Sequence, residues 1–262
     1  MSTMLKILRY ELRDVMRSRA LLMYGGFFLA ATWLLFQFSS DSSKALLSLA
    51  NVTLLIVPLV SIILGTMFVY DAREFSELLL AHPVNRRQLF GGLYLGLAVP
   101  LAAIYAVAVA IPVMVVGVPG EQVGTVVQLL LATVYLTCIF TAIAFAIALR
   151  VEDRVRGIGT ALVTWLGLAV VYDALVLLGA NALYAWPLER PLLAVILLNP
   201  VDLARVVLML NFDVSALMGY TGAVFRDFFG GSTGLLVAVG ALTVWVAVPL
   251  RLGSRLLERK DF

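Results

Sequence analysis

The sequence predicts an all-α, polytopic membrane protein with six transmembrane helices. Three observations carry that prediction. Over 262 residues the chain is 62% hydrophobic and only 13% charged, a composition unlike that of soluble domains. Its apolar runs are continuous rather than alternating, which favours membrane-spanning helices over a β-barrel. Its Lys and Arg residues gather between those runs, where the edges of a bilayer would lie. A single membrane domain covering 1–262 leaves no room for a second large one.

Residues 3–19 open the chain as a basic amphipathic helix. Leu5, Leu8, Leu12, Val15 and Met16 line one face, and Lys6, Arg9, Arg13 and Arg17 another. That pattern fits a helix lying on an anionic membrane surface; a plain basic flank before the first span fits it equally. A cleaved signal peptide is disfavoured, because the apolar run is long and Phe38-Ser39-Ser40-Asp41 is a poor cleavage site. Span one is expected over Ala20–Phe38, followed by a polar turn at Ser39–Lys44. Span two covers Ala45–Tyr70, with a kink at Pro58. A polar loop at 71–88 leads to span three, Leu89–Val116, which contains Pro100 and Pro112. Gly92 and Gly96 in it permit one close helix contact. Gly117–Gln122 turns into span four, Val123–Leu149. The charged turn Arg150–Gly157 precedes span five, Ile158–Gly179. Span six is Thr233–Leu250, with a basic tail after it.

Orientation follows from the basic residues. Lys6, Arg9, Arg13, Arg17, Arg19, Arg73, Arg86, Arg87, Arg150, Arg154, Arg156, Arg251, Arg255, Arg259 and Lys260 fall on one side. Only Lys44, Arg190, Arg205 and Arg226 fall on the other. The positive-inside rule makes both termini and the 71–88 loop cytoplasmic. Between spans five and six, 180–232 holds two short apolar runs, Leu192–Leu198 and Leu203–Leu210. A seventh span there would place Asp202 and Arg205 at membrane depth and the basic tail outside. The region is therefore expected to form a pair of short extracytoplasmic helices near the outer surface, with a partly re-entrant path as the alternative. Asn199 would cap the second helix, Pro200 would be its first residue and Asp202 would sit in its first turn. Asn199, Pro200, Asp202 and Arg205 are candidates for an outer gate or a contact with a periplasmic partner.

The polar loop has structure of its own. Asp71 with Glu74 reads as a helix start, Phe75, Leu78 and Leu79 recur at helical spacing, and Pro83 ends the helix after His82. Asn85 reads as the cap of the next helix, which carries Arg86 and Arg87. Such a helix can lie in the lipid interface or dock on a soluble partner. The run REFSELLLAHPVNRRQLFGG resembles the cytoplasmic loop of ABC-2 type transporter permeases, where it forms the coupling helix seated in the ATPase subunit. Asn199-Pro200-Val201-Asp202-Leu203-Ala204-Arg205 resembles that family's short helices before the last span, and Arg255–Phe262 its basic ending. Within the family, NPVDLARVVLMLNFDVSALMGYTGAVF together with the loop most resembles the permease subunits of transporters that mature nitrous oxide reductase.

The resemblance implies a multi-pass protein of the bacterial inner membrane, paired with a second copy of itself and an ABC ATPase homodimer. It further implies a periplasmic β-helical partner and a role in building a copper–sulfur cluster. Asp71, Arg73, Glu74, Phe75, Glu77, Leu78, Pro83, Arg86 and Arg87 would form the ATPase-docking surface, and Arg150, Glu152, Asp153 and Arg154 a second docking turn. The turn reads equally as a solvated charged loop. No Gly-rich run ends in Lys-Ser or Lys-Thr, so this chain is expected to bind no cofactor itself, with ATP and magnesium held by the ATPase. No nucleic-acid partner is needed to explain the basic residues.

Asp173 is the one acid well inside a proposed span. It serves either a polar contact in the translocation path or dimer seam, or lies close enough to the outer end to reach interfacial water. His82, before Pro83, reads as structural rather than as a pH switch. Met67, Met114, Met209 and Met218 lack paired spacing, so packing is preferred to soft-metal ligation, and the lone Cys138 and His82 cannot make a metal site. Three rival functions remain: an ABC-2 exporter of a drug, lipid or polysaccharide, an intramembrane enzyme, and a passive membrane anchor. The enzyme lacks a convergent set of His, Cys, Asp or Ser.

Overall fold

In the computed structural model, residues 15, 18–39, 41–73, 85–182, 194–209 and 232–259 are described. Among them every regular element is helical: α1 Arg19–Phe38, α2 Ser42–Asp71, α3 Arg86–Val116, α4 Gly120–Arg150, α5, α6 Pro200–Met209 and α7 Ser232–Arg259. The helix called α5 joins Arg154–Leu166, a π-helical turn Gly167–Val171 and Tyr172–Ala182 without a break. Six of the seven (all but α6) are long and apolar enough to cross a membrane, as the sequence predicted.

The helices outrun their apolar runs because caps lie beyond them. Asp41 accepts from Ser43 N–H at 2.9 Å and starts α2 inside the expected turn. Asn85 accepts from Arg87 N–H at 3.0 Å, starting α3 where the sequence put it. Gly117, at φ 76°, closes α3 in the left-handed conformation that only glycine adopts cheaply. The basic tail expected after Leu250 is instead the last turns of α7. Gly253 and Leu257 extend the buried stripe past Leu250, so the helix has packing reason to continue. Pro58, Pro100, Pro112 and Pro249 all sit within continuous helices.

Packing centres on α4, which pairs with α2 along its length. A Cβ at Gly65 would lie 2.7 Å from Ala144 Cβ, so glycine there lets the two backbones close up. Around them Phe28 of α1 packs edge-on to Tyr105 of α3 at 4.7 Å, and Thr53 of α2 meets the Tyr105 hydroxyl at 2.7 Å. Tyr105→Phe should cost about 1 kcal/mol, the net worth of one such bond. A melt in detergent indistinguishable from wild type would count against it. At one end of the bundle Phe90, Tyr94 and Phe145 form an aromatic cluster, and Tyr94 donates to the Cys138 carbonyl at 2.9 Å.

The bundle has two ends. One, the basic end, carries Asp71, Asn85, Arg150–Arg154 and Glu258; the other carries Ser43 and Gln122, which meet at 2.8 Å. Burial differs sharply among the spans: 56% of the α4 window is buried, against 11% for α5 and 17% for α7. The last two are thus peripheral rods. Large apolar side chains such as Val163, Leu177 and Leu236 are exposed on them, an arrangement lipid tolerates and water does not.

The short helix α6 takes the re-entrant alternative: the turn that starts it sits at mid-height of the bundle. Asn199 Nδ2 donates to the Leu168 carbonyl at 2.7 Å, and Trp245 Nε1 donates to the Leu197 carbonyl at 3.2 Å. Leu168 is the midpoint of α5 and Trp245 lies at the middle of α7. The turn is therefore inserted roughly 20 Å below the far ends of those helices, at about 1.5 Å of rise per residue. Backbone that leaves a helix at such depth is tolerated only under protein cover, and Asn199 is fully buried.

Candidate functional site

Two clusters gather the polar residues singled out from the sequence. The first lies at the basic end, where both legs of the 71–88 loop are anchored. Asp71 does not start a helix: it is the last residue of α2, because the backbone ladder runs on through Tyr70 and Ala72 N–H closes onto the Phe68 carbonyl at 2.9 Å. Its carboxylate instead meets Arg154 at 2.9 Å. Tyr70 donates its hydroxyl to the Val151 carbonyl at 2.8 Å and lies 3.3 Å from that of Asp153. Arg73 donates to the Glu152 carbonyl at 3.3 Å, with its guanidinium 5.7 Å from the Tyr70 ring centre. The first leg is thus tied to the turn that heads α5.

That turn is built for the contact. Asp153 caps α5 by accepting from Arg156 N–H at 2.7 Å, which leaves the carbonyls of 151–153 facing α2. Gly157 follows one turn later, and a Cβ there would fall 1.9 Å from the Tyr70 hydroxyl. Arg150, Glu152, Asp153 and Arg154 are all exposed. The proposed second docking turn and the loop's first leg therefore form one surface.

The second leg is tied to α7. Arg86 donates to the carbonyls of Leu257 at 3.2 Å and Glu258 at 2.8 Å, near the C-terminal end of that helix. A cation there is favoured by the helix dipole. Arg87 Nε meets Glu258 Oε1 at 2.6 Å, an exposed pair worth little alone. Glu74, Phe75, Glu77, Leu78, His82 and Pro83 lie outside the described residues, as does all of the 3–19 helix except Val15 and the residues from Ser18. Val15 is helical and buried against the bundle.

The second cluster surrounds α6. Asn199 caps it, accepting from Val201 N–H at 3.0 Å, and Pro200 is its first residue, both as expected. Arg205 Nη1 is shared between Asp173 of α5 and Asp202 of α6, the latter at 3.1 Å. Asn199 Nδ2 also reaches Asp202 Oδ2 at 3.1 Å. Asp173 thus finds a protein partner rather than only interfacial water, because α6 brings Arg205 down to it. Tyr172 donates to the Val195 carbonyl at 2.6 Å, and Gln128 of α4 to the Val207 carbonyl at 2.9 Å. The π turn of α5 lies immediately beside this cluster, a feature frequent at functional places in helices.

Several members of these clusters escaped the sequence reading. Gly157, Gln128, Tyr172 and Trp245 carry no motif. Glu258 alone left a trace, as an acid amid Arg251, Arg255, Arg259 and Lys260. Met67 lies in α2, Met114 at the end of α3 and Met209 at the end of α6, while Met218 is outside the described residues.

No protein-family model matches the chain. It is 29% identical over 226 residues to a probable ABC transporter permease protein NosY of Pseudomonas aeruginosa, covering 81% of this chain and 79% of that protein. A second probable ABC transporter permease protein NosY, from Stutzerimonas stutzeri, is 26% identical over 280 aligned positions, covering 98% of this chain and 96% of that one. Along most of its length the chain is similar to NosY-type ABC transporter permeases. Its likeness to those proteins spans both clusters, since the second alignment covers almost the whole chain.

Proposed function

We propose that this NosY-like permease couples ATP hydrolysis in a NosF-type ATPase homodimer to conformational change across the bacterial inner membrane, through the loop between α2 and α3. The observation that carries this reading is the double anchoring of the loop. One leg is fixed to the head of α5 and the other to the end of α7, so a partner pressing on the loop moves two spans. A helix that merely lay in the lipid interface would need neither anchor. ATP and magnesium sit in the partner, and this chain binds neither. The basic end faces the cytoplasm, by the excess of Arg there.

A second copy of the chain completes the translocation unit. The exposed apolar faces of α5 and α7 leave room for it. The resemblance of the 71–88 loop and of the run from Asn199 to permeases that mature nitrous oxide reductase favours that role here, with a NosD-type periplasmic β-helical partner and delivery of copper or sulfur. An exporter of a drug, lipid or polysaccharide would copurify with the ATPase alone.

Glu77→Lys and Pro83→Leu should lower recovery of the ATPase with the tagged permease at least tenfold, while the chain still inserts in the membrane. Full recovery with both variants would overturn the docking assignment. A passive anchor would retain its partner yet leave ATP hydrolysis unaffected by either change.

A further inference from the structure

We propose that the C-terminal end of α7 is a working part of the coupling apparatus: an arm that carries movement of the loop to the inserted helix α6 independently of α5. The proposal rests on the docking reading above and deepens it. The contacts at the basic end and at mid-height fall into two continuous paths. The first runs from Tyr70, Asp71 and Arg73 to the 151–154 turn, along α5, and out to α6 through Leu168, Tyr172 and Asp173. The second runs from Arg86 and Arg87 to Leu257 and Glu258, along α7, and out to the α6 turn through Trp245 and Leu197. Each leg of the loop owns one path.

Physical differences between the paths give them different tasks. Only 11% and 17% of the two spans are buried, α5 against α2 and α7 against α4, so each can tilt by sliding along one packed face. The α5 path contains the π turn Gly167–Val171 at the place where α6 attaches. A π turn can shift its hydrogen-bond register, so that path yields at its far end. The α7 path is α-helical from Trp245 to Glu258, weakened only by the missing N–H of Pro249. It is the stiffer arm, and its grip on the loop is charge-assisted: a guanidinium on two helix-end carbonyls and a second on a carboxylate. Gly253 closes the joint sideways, because a Cβ there would lie 2.9 Å from the Phe90 ring of α3. Spatial continuity alone does not establish coupling, so the test must read movement at α6.

The permease–ATPase complex would be prepared in a Cys138→Ala background, with spin labels at Leu198→Cys and Met114→Cys, both exposed and on different elements. Label separation would be measured without nucleotide and after trapping with ATP and vanadate. The wild-type complex should show a nucleotide-dependent change. Gly253→Leu, which drives α7 from Phe90, should halve that change or more while the ATPase copurifies at normal yield, and Glu258→Arg, which repels Arg87, should halve it in the complex that still assembles. Glu258→Gln, still an acceptor for Arg87, should keep most of it. A full change in both disruptive variants would overturn the α7 arm, as would an unchanged separation in the wild-type complex. Loss of the ATPase from Gly253→Leu would overturn it too, making this end a docking surface instead. Failure of the wild-type chain to hold an ATPase would sink the docking reading itself.

Discussion

Arg205→Met should destabilise the chain by about 3 kcal/mol, whereas Asp173→Asn should change it by less than about 1 kcal/mol. The asymmetry comes from charge balance. Two carboxylates share one guanidinium, whose side chain is 30% exposed beside Asp173 at 29% and Asp202 at 10%. Removing the arginine leaves both acids without that cation inside the outer half of the bundle, where an uncompensated charge is costly. Removing the charge of Asp173 leaves Arg205 and Asp202 as a balanced pair one turn apart on α6. The figure for Arg205 is set at the low end for broken buried pairs because roughly a third of each outer side chain remains accessible. Thermal unfolding in detergent, followed by tryptophan fluorescence, would show a fall of roughly 5–10 °C for Arg205→Met and little for Asp173→Asn. Equal losses in the two variants would mean that the pair acts only through packing.

Gly157→Val should be the most damaging change at the basic end. The first carbon of the new side chain would fall 1.9 Å from the Tyr70 hydroxyl and 2.7 Å from the ring carbon that bears it. No contact that short survives, so α5 must move away from α2 or Tyr70 must leave the 151–153 turn. Overpacking of this kind costs about 1–3 kcal/mol. The larger consequence is functional: the first leg of the loop loses its anchor, and ATPase recovery should drop at least tenfold. Gly159→Val is the control, since a Cβ at Gly159 meets nothing within 4 Å. Matching ATPase recovery for the two variants would show that the Tyr70 contact does not hold the loop.

The sequence by itself determined the six spans, because the burial of apolar runs in lipid depends on local composition alone. It also determined the caps at Asn85 and Asn199, since a cap bonds to N–H groups two or three residues away. Local signals failed where a helix end was decided by distant packing. Asp71 looked like a cap by its spacing to Glu74, yet α2 runs through it and Arg154 claims its carboxylate. The end of α7 reads from the sequence as a basic tail after the last span, yet Phe90 and Arg86 hold it as helix. Only the tertiary structure decided which charges meet: Arg205 with Asp173 across 32 residues, and Arg86 with the Glu258 carbonyl across 172. It also decided that α6 enters the bundle to mid-height. Hydropathy registered Asp202 and Arg205 only as a penalty against depth. The penalty is offset by partners that a one-dimensional pattern cannot supply, because pairing depends on which helices become neighbours.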